Sequence, residues 1–208
     1  MTQVAIIDYG VGNLRSVEKA FAATGCDAIV TGNDRELRNA ERLVLPGVGA
    51  FGACMQALTE RGFDHLVRER VREGIPLLGV CVGMQMLFEE SDEFGRTAGL
   101  GLLRGCVQRF SNDLVVPQVG WNQIRQRKMH TLFEGVTDQS FFYFVHSFFC
   151  VPVDNSTTSP MGEMPAPAVA GLKFRREPKS VYVQSSVQSA AFVNVIVTDT
   201  GIVGRVGS

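Results

Sequence analysis

Histidine is scarce in this chain: three in 208 residues, at positions 65, 130 and 146, with none further on. That leaves little material for a histidine-built metal site and no late-chain histidine to serve as a base. The five cysteines (Cys26, Cys54, Cys81, Cys106 and Cys150) include no CxxC pair and are odd in number, which excludes a disulfide framework or a zinc ribbon and suits a reducing, cytoplasmic setting. Neither sign of charge dominates: 20 basic against 21 acidic residues give a net charge of −1, and so no electrostatic case for nucleic acid or an anionic membrane. No apolar run is long enough to span a bilayer, and the opening "MTQVAIIDYG" lacks the charged-then-apolar layout of a signal peptide. What remains is 45% hydrophobic and 20% charged, the balance of a globular domain with a real core.

The first half alternates short apolar runs with helically spaced ones. "VAIID" reads as a strand, and "LRSVEKAFAATG" as a helix with Leu14, Val17, Ala20 and Phe21 on one face, ended by Gly25. "CDAIVT" is a second strand, and "NDRELRNA" a helix capped by Asn33. "RLVLPG" is a third strand, stopped by Pro46 and Gly47. The stretch from Ala50 to Gly74 reads as helix, bent near Gly62. "IPLLGV" is a fourth strand and "MQMLFEE" a fourth helix. Strands separated by helices pair in parallel through right-handed crossovers, so the expected class is α/β, a doubly wound, mostly parallel, flavodoxin-like sheet. Ligands bind beyond the carboxyl ends of such strands, where "YGVGN", "PGVGAF" and "GVCVGMQ" stand. The second half ("GCVQRF", "VVPQVGWNQI", "QSFFYFVHSFFCVPV") reads as strands in antiparallel or mixed arrangement, followed by a polar loop from Asp154 to Pro167.

"GVCVGMQ" places Cys81 at a strand-to-helix joint with Gly79 and Gly83 two residues away on either side. A tight turn there forces the thiol outward, and a following helix N-terminus favours thiolate. Cys81 is equally readable as a small buried hydrophobe. The "LPGVGAF" loop favours the nucleophile, because glycines after a strand let backbone N–H groups face an oxyanion. Gln85 lies four residues after Cys81 and Glu89 four further, one face of a continuing helix. The GxG of the first loop fails the dinucleotide fingerprint at Arg15, so no nucleotide cofactor and no metal is expected.

"IIDYGVGNLRSVEKAF", "LVLPGVGAF", "PLLGVCVGMQMLFEES", "GLGLLRG", "VPQVGWNQI" and "FYFVHSFF" occur in this order. From Met1 to about Val151 the chain resembles the class I glutamine amidotransferases, and within them the amidotransferase subunit of imidazole glycerol phosphate synthase. The resemblance implies a heterodimer of histidine biosynthesis. One subunit hydrolyses glutamine, and the ammonia passes to a (β/α)8-barrel synthase subunit. It implies Cys81 as nucleophile, an oxyanion hole from Gly47, Val48, Gly49 and the N–H of Val82, and glutamine contacts from Gln85, Glu89, Ser147 and Phe148. It implies a partner-facing side carrying Asn13, Trp121, Tyr143 and His146, with His146 structural or interfacial and Trp121 alternatively a core residue. No cofactor is implied. The related glutaminase of vitamin B6 synthesis also sits on a barrel, but "GWN" and "YFVHS" argue against it.

The chain departs from the resemblance in its last part. The family takes its base and orienting carboxylate from a C-terminal His-x-Glu. Here "KFRREPKS" offers Arg175 and Arg176, which stay protonated at neutral pH, and Glu177 precedes a proline. Gln118 and Val119 also stand where His-Met commonly precedes "GWN". The expectation is one amidotransferase domain over 1–208 with an atypical segment at 171–208. Either its glutaminase is silent and the chain binds its partner only, or the tail comes from an altered reading frame or a splice variant, the reading favoured because every family feature is lost abruptly after about Ala170. The β-prone "VYVQSSVQ" and "FVNVIV" are expected to form an exposed, aggregation-prone segment.

Overall fold

The computed structural model describes residues 4–112, 115–123, 135–153, 180–182 and 195–198. Its first half follows the alternation read from the sequence. Strand β1 (Val4–Ile7) leads to α1 (Leu14–Ala23), β2 (Ala28–Thr31) to α2 (Asp34–Asn39), and β3 (Arg42–Leu45) to α3 (Phe51–Glu60) and α4 (Phe63–Arg72). Asn13 and Asn33 cap α1 and α2: the Asn33 side chain accepts from the amides of Arg35 and Glu36, and that of Asn13 from Ser16. The bend between α3 and α4 falls at Gly62, which takes the left-handed φ of 70° that a side chain would oppose.

β4 (Leu77–Val80) completes a parallel block ordered β4-β3-β1-β2. Alternate residues face opposite layers. Val4, Ile6 and Val44 pack with Phe21 of α1 on one face, while Ala5, Ile7, Leu43 and Leu45 pack with Leu37, Phe51, Leu58 and Leu66 of α2, α3 and α4 on the other. Every residue of β1 is buried, as a central strand covered on both faces must be.

Beyond β4 the chain departs from the expected helix. α5 (Val82–Gln85) is a single turn, and the run "FEES" is a strand, β5 (Phe88–Ser91). The cause is tertiary. The carbonyls of Met86, Leu87, Phe88 and Glu89, which a helix would give to its own amides, accept instead from the N–H groups of Leu100, Leu102, Leu103, Gly101 and Gly99. β5 pairs with β6 (Thr97–Ala98) and β7 (Leu103–Arg109). The aromatic run from Phe141 divides at Ser147 into two strands of different sheets. β9 (Phe141–His146) pairs antiparallel with β8 (Gln118–Gln123), while β10 (Phe148–Pro152) pairs antiparallel with β7.

Two short stretches of the tail are described, and both are strands. Val195–Thr198, as β12, pairs antiparallel with β4 (Val195 opposite Val80, Ile196 opposite Gly79), and β11 (Ser180–Tyr182) pairs with β12. β4 is therefore an interior strand of a six-stranded sheet, with an unpaired edge on neither side. "KFRREPK" and the polar run from Asp154 lie outside the described residues.

Candidate active site at the Cys81 turn

Three loops leave the carboxyl ends of β1, β3 and β4, and the fold brings them together. An alanine methyl at Gly12 would lie 3.2 Å from the Pro46 ring, so the first loop rests on the second. A methyl at Gly47 would lie 2.5 Å from the Gly83 amide nitrogen and 3.0 Å from Val82, so the second rests on the Cys81 turn. Cys81 has φ 56° and ψ −123°, a conformation that L-residues rarely adopt and that costs roughly 1–3 kcal/mol. Its carbonyl starts α5 by accepting from Met84 at 2.9 Å and Gln85 at 3.3 Å. A cysteine used only as filler has no need of that strain. A nucleophile held out from a sharp joint does.

The electrostatics differ from the sequence expectation. Burial pushes the Cys81 thiol above its ordinary range, and the Val82 N–H pulls it back in part. A helix of one turn carries little dipole, so the lowering expected from a helix N-terminus is not realised. Among the described residues no histidine acts on this thiol. His146 places Nδ1 2.9 Å from the Phe148 carbonyl and meets Phe110 edge-on. His65 lies exposed on α4 beside Asp64. His130 lies outside the described residues.

The glutamine-contact expectations divide. Gln85 is buried at the end of α5, close to the turn. Glu89 does not share a helical face with it, because the helix has ended; on β5 its carboxylate accepts from the Gly105 amide at 2.8 Å. The carboxylate that reaches the loop belongs to Glu93, whose Oε2 accepts from the Phe51 amide at 2.6 Å, directly after "PGVGA". Helical spacing from Cys81 could not find Glu93, since the intervening chain is extended. Ser147 gives its carbonyl to the Phe110 amide at 3.0 Å, and Phe148 packs against the same apolar cluster as Cys81. Two further residues were missed. Tyr9 donates to the Pro46 carbonyl at 2.7 Å, and Cys54 to the Val48 carbonyl at 3.4 Å.

Of the residues expected to face a partner, Trp121, Tyr143 and His146 lie on the β8–β9 ribbon, while Asn13 stands at the start of α1. On the β8–β9 ribbon, Val119 opposes Val145 and Trp121 opposes Tyr143, with those two rings 5.5 Å apart. Trp121 is 65% exposed, which overturns its alternative reading as a core residue; Val119, Phe141 and Val145 are exposed with it. Asn13 is exposed and engaged in capping α1. Among the described residues no group of three or more His, Cys, Asp or Glu could hold a metal, and no helix is long and apolar enough to cross a membrane.

Comparison with known proteins agrees with this architecture. A solved structure described as a glutamine amidotransferase superposes with TM-score 0.52 at 24% identity, over 69% of this chain and 70% of that one, which marks the fold as that of the glutamine amidotransferases. The sequence model of the family described as glutamine amidotransferase class-I matches residues 5–178. The imidazole glycerol phosphate synthase subunit HisH of Dehalococcoides mccartyi (strain CBDB1) is 44% identical over 153 residues, 74% of this chain and 75% of the relative. The HisH subunit of Geobacillus thermodenitrificans is 46% identical over 179 residues, 82% of this chain and 84% of the relative. The chain belongs to the class I glutamine amidotransferase family, on the branch of the imidazole glycerol phosphate synthase subunits.

Proposed function

We propose that the chain is the glutaminase subunit of an imidazole glycerol phosphate synthase in histidine biosynthesis, hydrolysing glutamine to glutamate and ammonia for a (β/α)8-barrel partner subunit. The observation that carries this reading is Cys81 at positive φ, with Gly47 packed directly on Val82 and Gly83, in a chain of this family. Sγ attacks the side-chain carboxamide carbon of glutamine. Negative charge develops on the amide oxygen, where the N–H groups of the 47–49 loop and of Val82 receive it. Collapse breaks the C–N bond and expels ammonia, whose third proton is the one the thiol gave up, and a γ-glutamyl thioester remains for water to cleave to glutamate and free thiol. Gln85 and Glu93 line the approach; Glu93 offers a carboxylate suited to an α-ammonium group. The exposed Trp121–Tyr143 face is the docking side. The domain runs over 1–208, with 171–208 atypical.

A second reading rests on the missing base. With no histidine after His146, proton transfer from Sγ lacks its usual acceptor within the chain, and the subunit then serves as a docking piece while the synthase uses free ammonia. One experiment separates the two. Ammonia release from glutamine is measured with the barrel subunit present, for the natural chain and for Cys81→Ala. A Cys81-dependent rate supports the glutaminase; equal rates leave the docking role, and failure of the two subunits to co-elute sinks both. Trp121, the only tryptophan, reports docking directly: its emission is expected to be quenchable in the free chain and protected in the complex.

A further inference from the structure

Tyr9 and Cys54 take no part in the chemistry above, yet both end on the oxyanion loop. Tyr9 follows β1 and is 2% exposed; its hydroxyl donates to the Pro46 carbonyl and lies 3.9 Å from Met86 Sδ, just past α5. Cys54 sits in the first turn of α3, fully buried, and its thiol donates to the Val48 carbonyl. Tyr9 and Cys54 belong to one buried apolar cluster, and Cys81 packs against it.

A peptide is planar and trans, so a carbonyl and the N–H that follows it point in opposite directions. A donor that fixes the Pro46 carbonyl therefore fixes the Gly47 N–H, and one that fixes the Val48 carbonyl fixes the Gly49 N–H. The loop needs such holding. Gly49 has φ 98° with nothing within 4 Å of where a Cβ would stand, and Val48 is half exposed. We propose that Tyr9 and Cys54 are positioning residues for amide hydrolysis: from the core they hold the peptide planes on either side of the Gly47–Val48 bond and thereby aim the loop's N–H donors. Burial raises the titration of both groups, so each stays protonated, as a donor must.

The inference rests on reading Cys81 as the nucleophile and 47–49 as the oxyanion loop. Its test uses the full chain and two electrophiles, with modification at Cys81 followed by peptide mass mapping. A chloroketone analogue of glutamine passes through an oxyanion as Sγ adds to its carbonyl; iodoacetamide reacts by direct displacement of iodide at its methylene carbon and forms none. In both, a C–S bond forms, halide leaves and the thiol proton goes to solvent. Tyr9→Phe and Cys54→Ala are expected to slow chloroketone labelling about tenfold, part of the loss that follows removal of a whole oxyanion donor. Both are expected to leave iodoacetamide labelling unchanged, and Cys54→Ser, which keeps a donor, to restore the chloroketone rate. Equal slowing with both reagents, or no slowing with either, would overturn the proposal. If the natural chain reacts at Cys81 with iodoacetamide but not with the chloroketone, the site reading itself fails, and the proposal with it.

Discussion

Gly83→Ala tests the packing that joins the 47–49 loop to the Cys81 turn. A methyl at Gly83 would sit 1.9 Å from the Leu45 carbonyl oxygen, 2.7 Å from its carbon and 2.9 Å from the Pro46 carbonyl carbon. All three are backbone atoms of β3 and its loop, so no side chain can rotate away. Ordinary contact begins at 3.4 Å, so turn and loop must part by about 1.5 Å. Overpacking of this kind costs roughly 3 kcal/mol, which in a domain of this size lowers Tm by about 6–12 °C. The same displacement would misplace Sγ against the loop donors, and an error near 1 Å costs about 100-fold in rate. Gly74→Ala is the control: Gly74 has φ 87° but nothing within 4 Å, so it tests backbone strain without a clash. Thermal unfolding followed by circular dichroism, with chloroketone labelling of Cys81 alongside, measures both effects. If Gly83→Ala melts within 2 °C of the natural chain, or no lower than Gly74→Ala, the close approach is not structural and the argument for the joined loops fails.

Burial raises the titration of Cys54, Cys81 and Cys150, each led by desolvation. The folded chain then holds protons that the unfolded chain gives up above the ordinary thiol range, near 8.5, so stability is full below that pH and falls as pH rises beyond it. Unfolding midpoints in urea between pH 7 and 10 check the sign, and a midpoint that rises with pH would refute it. For the same reason iodoacetamide labelling of Cys81 should accelerate with an inflection above that of a free cysteine; an inflection near or below neutrality would mean an unseen group activates the thiol. Arg68 donates to buried Asp64 at 2.6 Å and to the Leu100 carbonyl at 3.0 Å. Arg68→Ala leaves the Asp64 carboxylate buried without its cation and is expected to cost about 3 kcal/mol in urea unfolding.

The local chemistry of the first 80 residues was sufficient for the alternation of β1 through β4. Asn33 caps by its own side chain, Gly62 breaks a helix by its own φ, and the alternate apolar residues of β1 and β3 can only face two covered layers. The Cys81 turn and the glycine loop were legible because crowding demands glycine there whatever the distant context. Legibility ended where partners remote in sequence take the hydrogen bonds. "MQMLFEE" has a helix former's composition, yet residues 99–103 occupy its carbonyls, and so Glu93 rather than Glu89 reaches the loop. The split at Ser147 follows from pairing with two different strands, β7 and β8. Tyr9 and Cys54 likewise acquire their contacts only when β1, β3 and α3 pack together. The sequence alone determined that a thiol would stand at a strand-to-helix joint between two glycines, and that a glycine loop would follow the preceding strand, because those demands are local. Only the tertiary structure decided which carboxylate joins it and which side chains hold the loop, because those contacts depend on the packing of segments far apart in the chain.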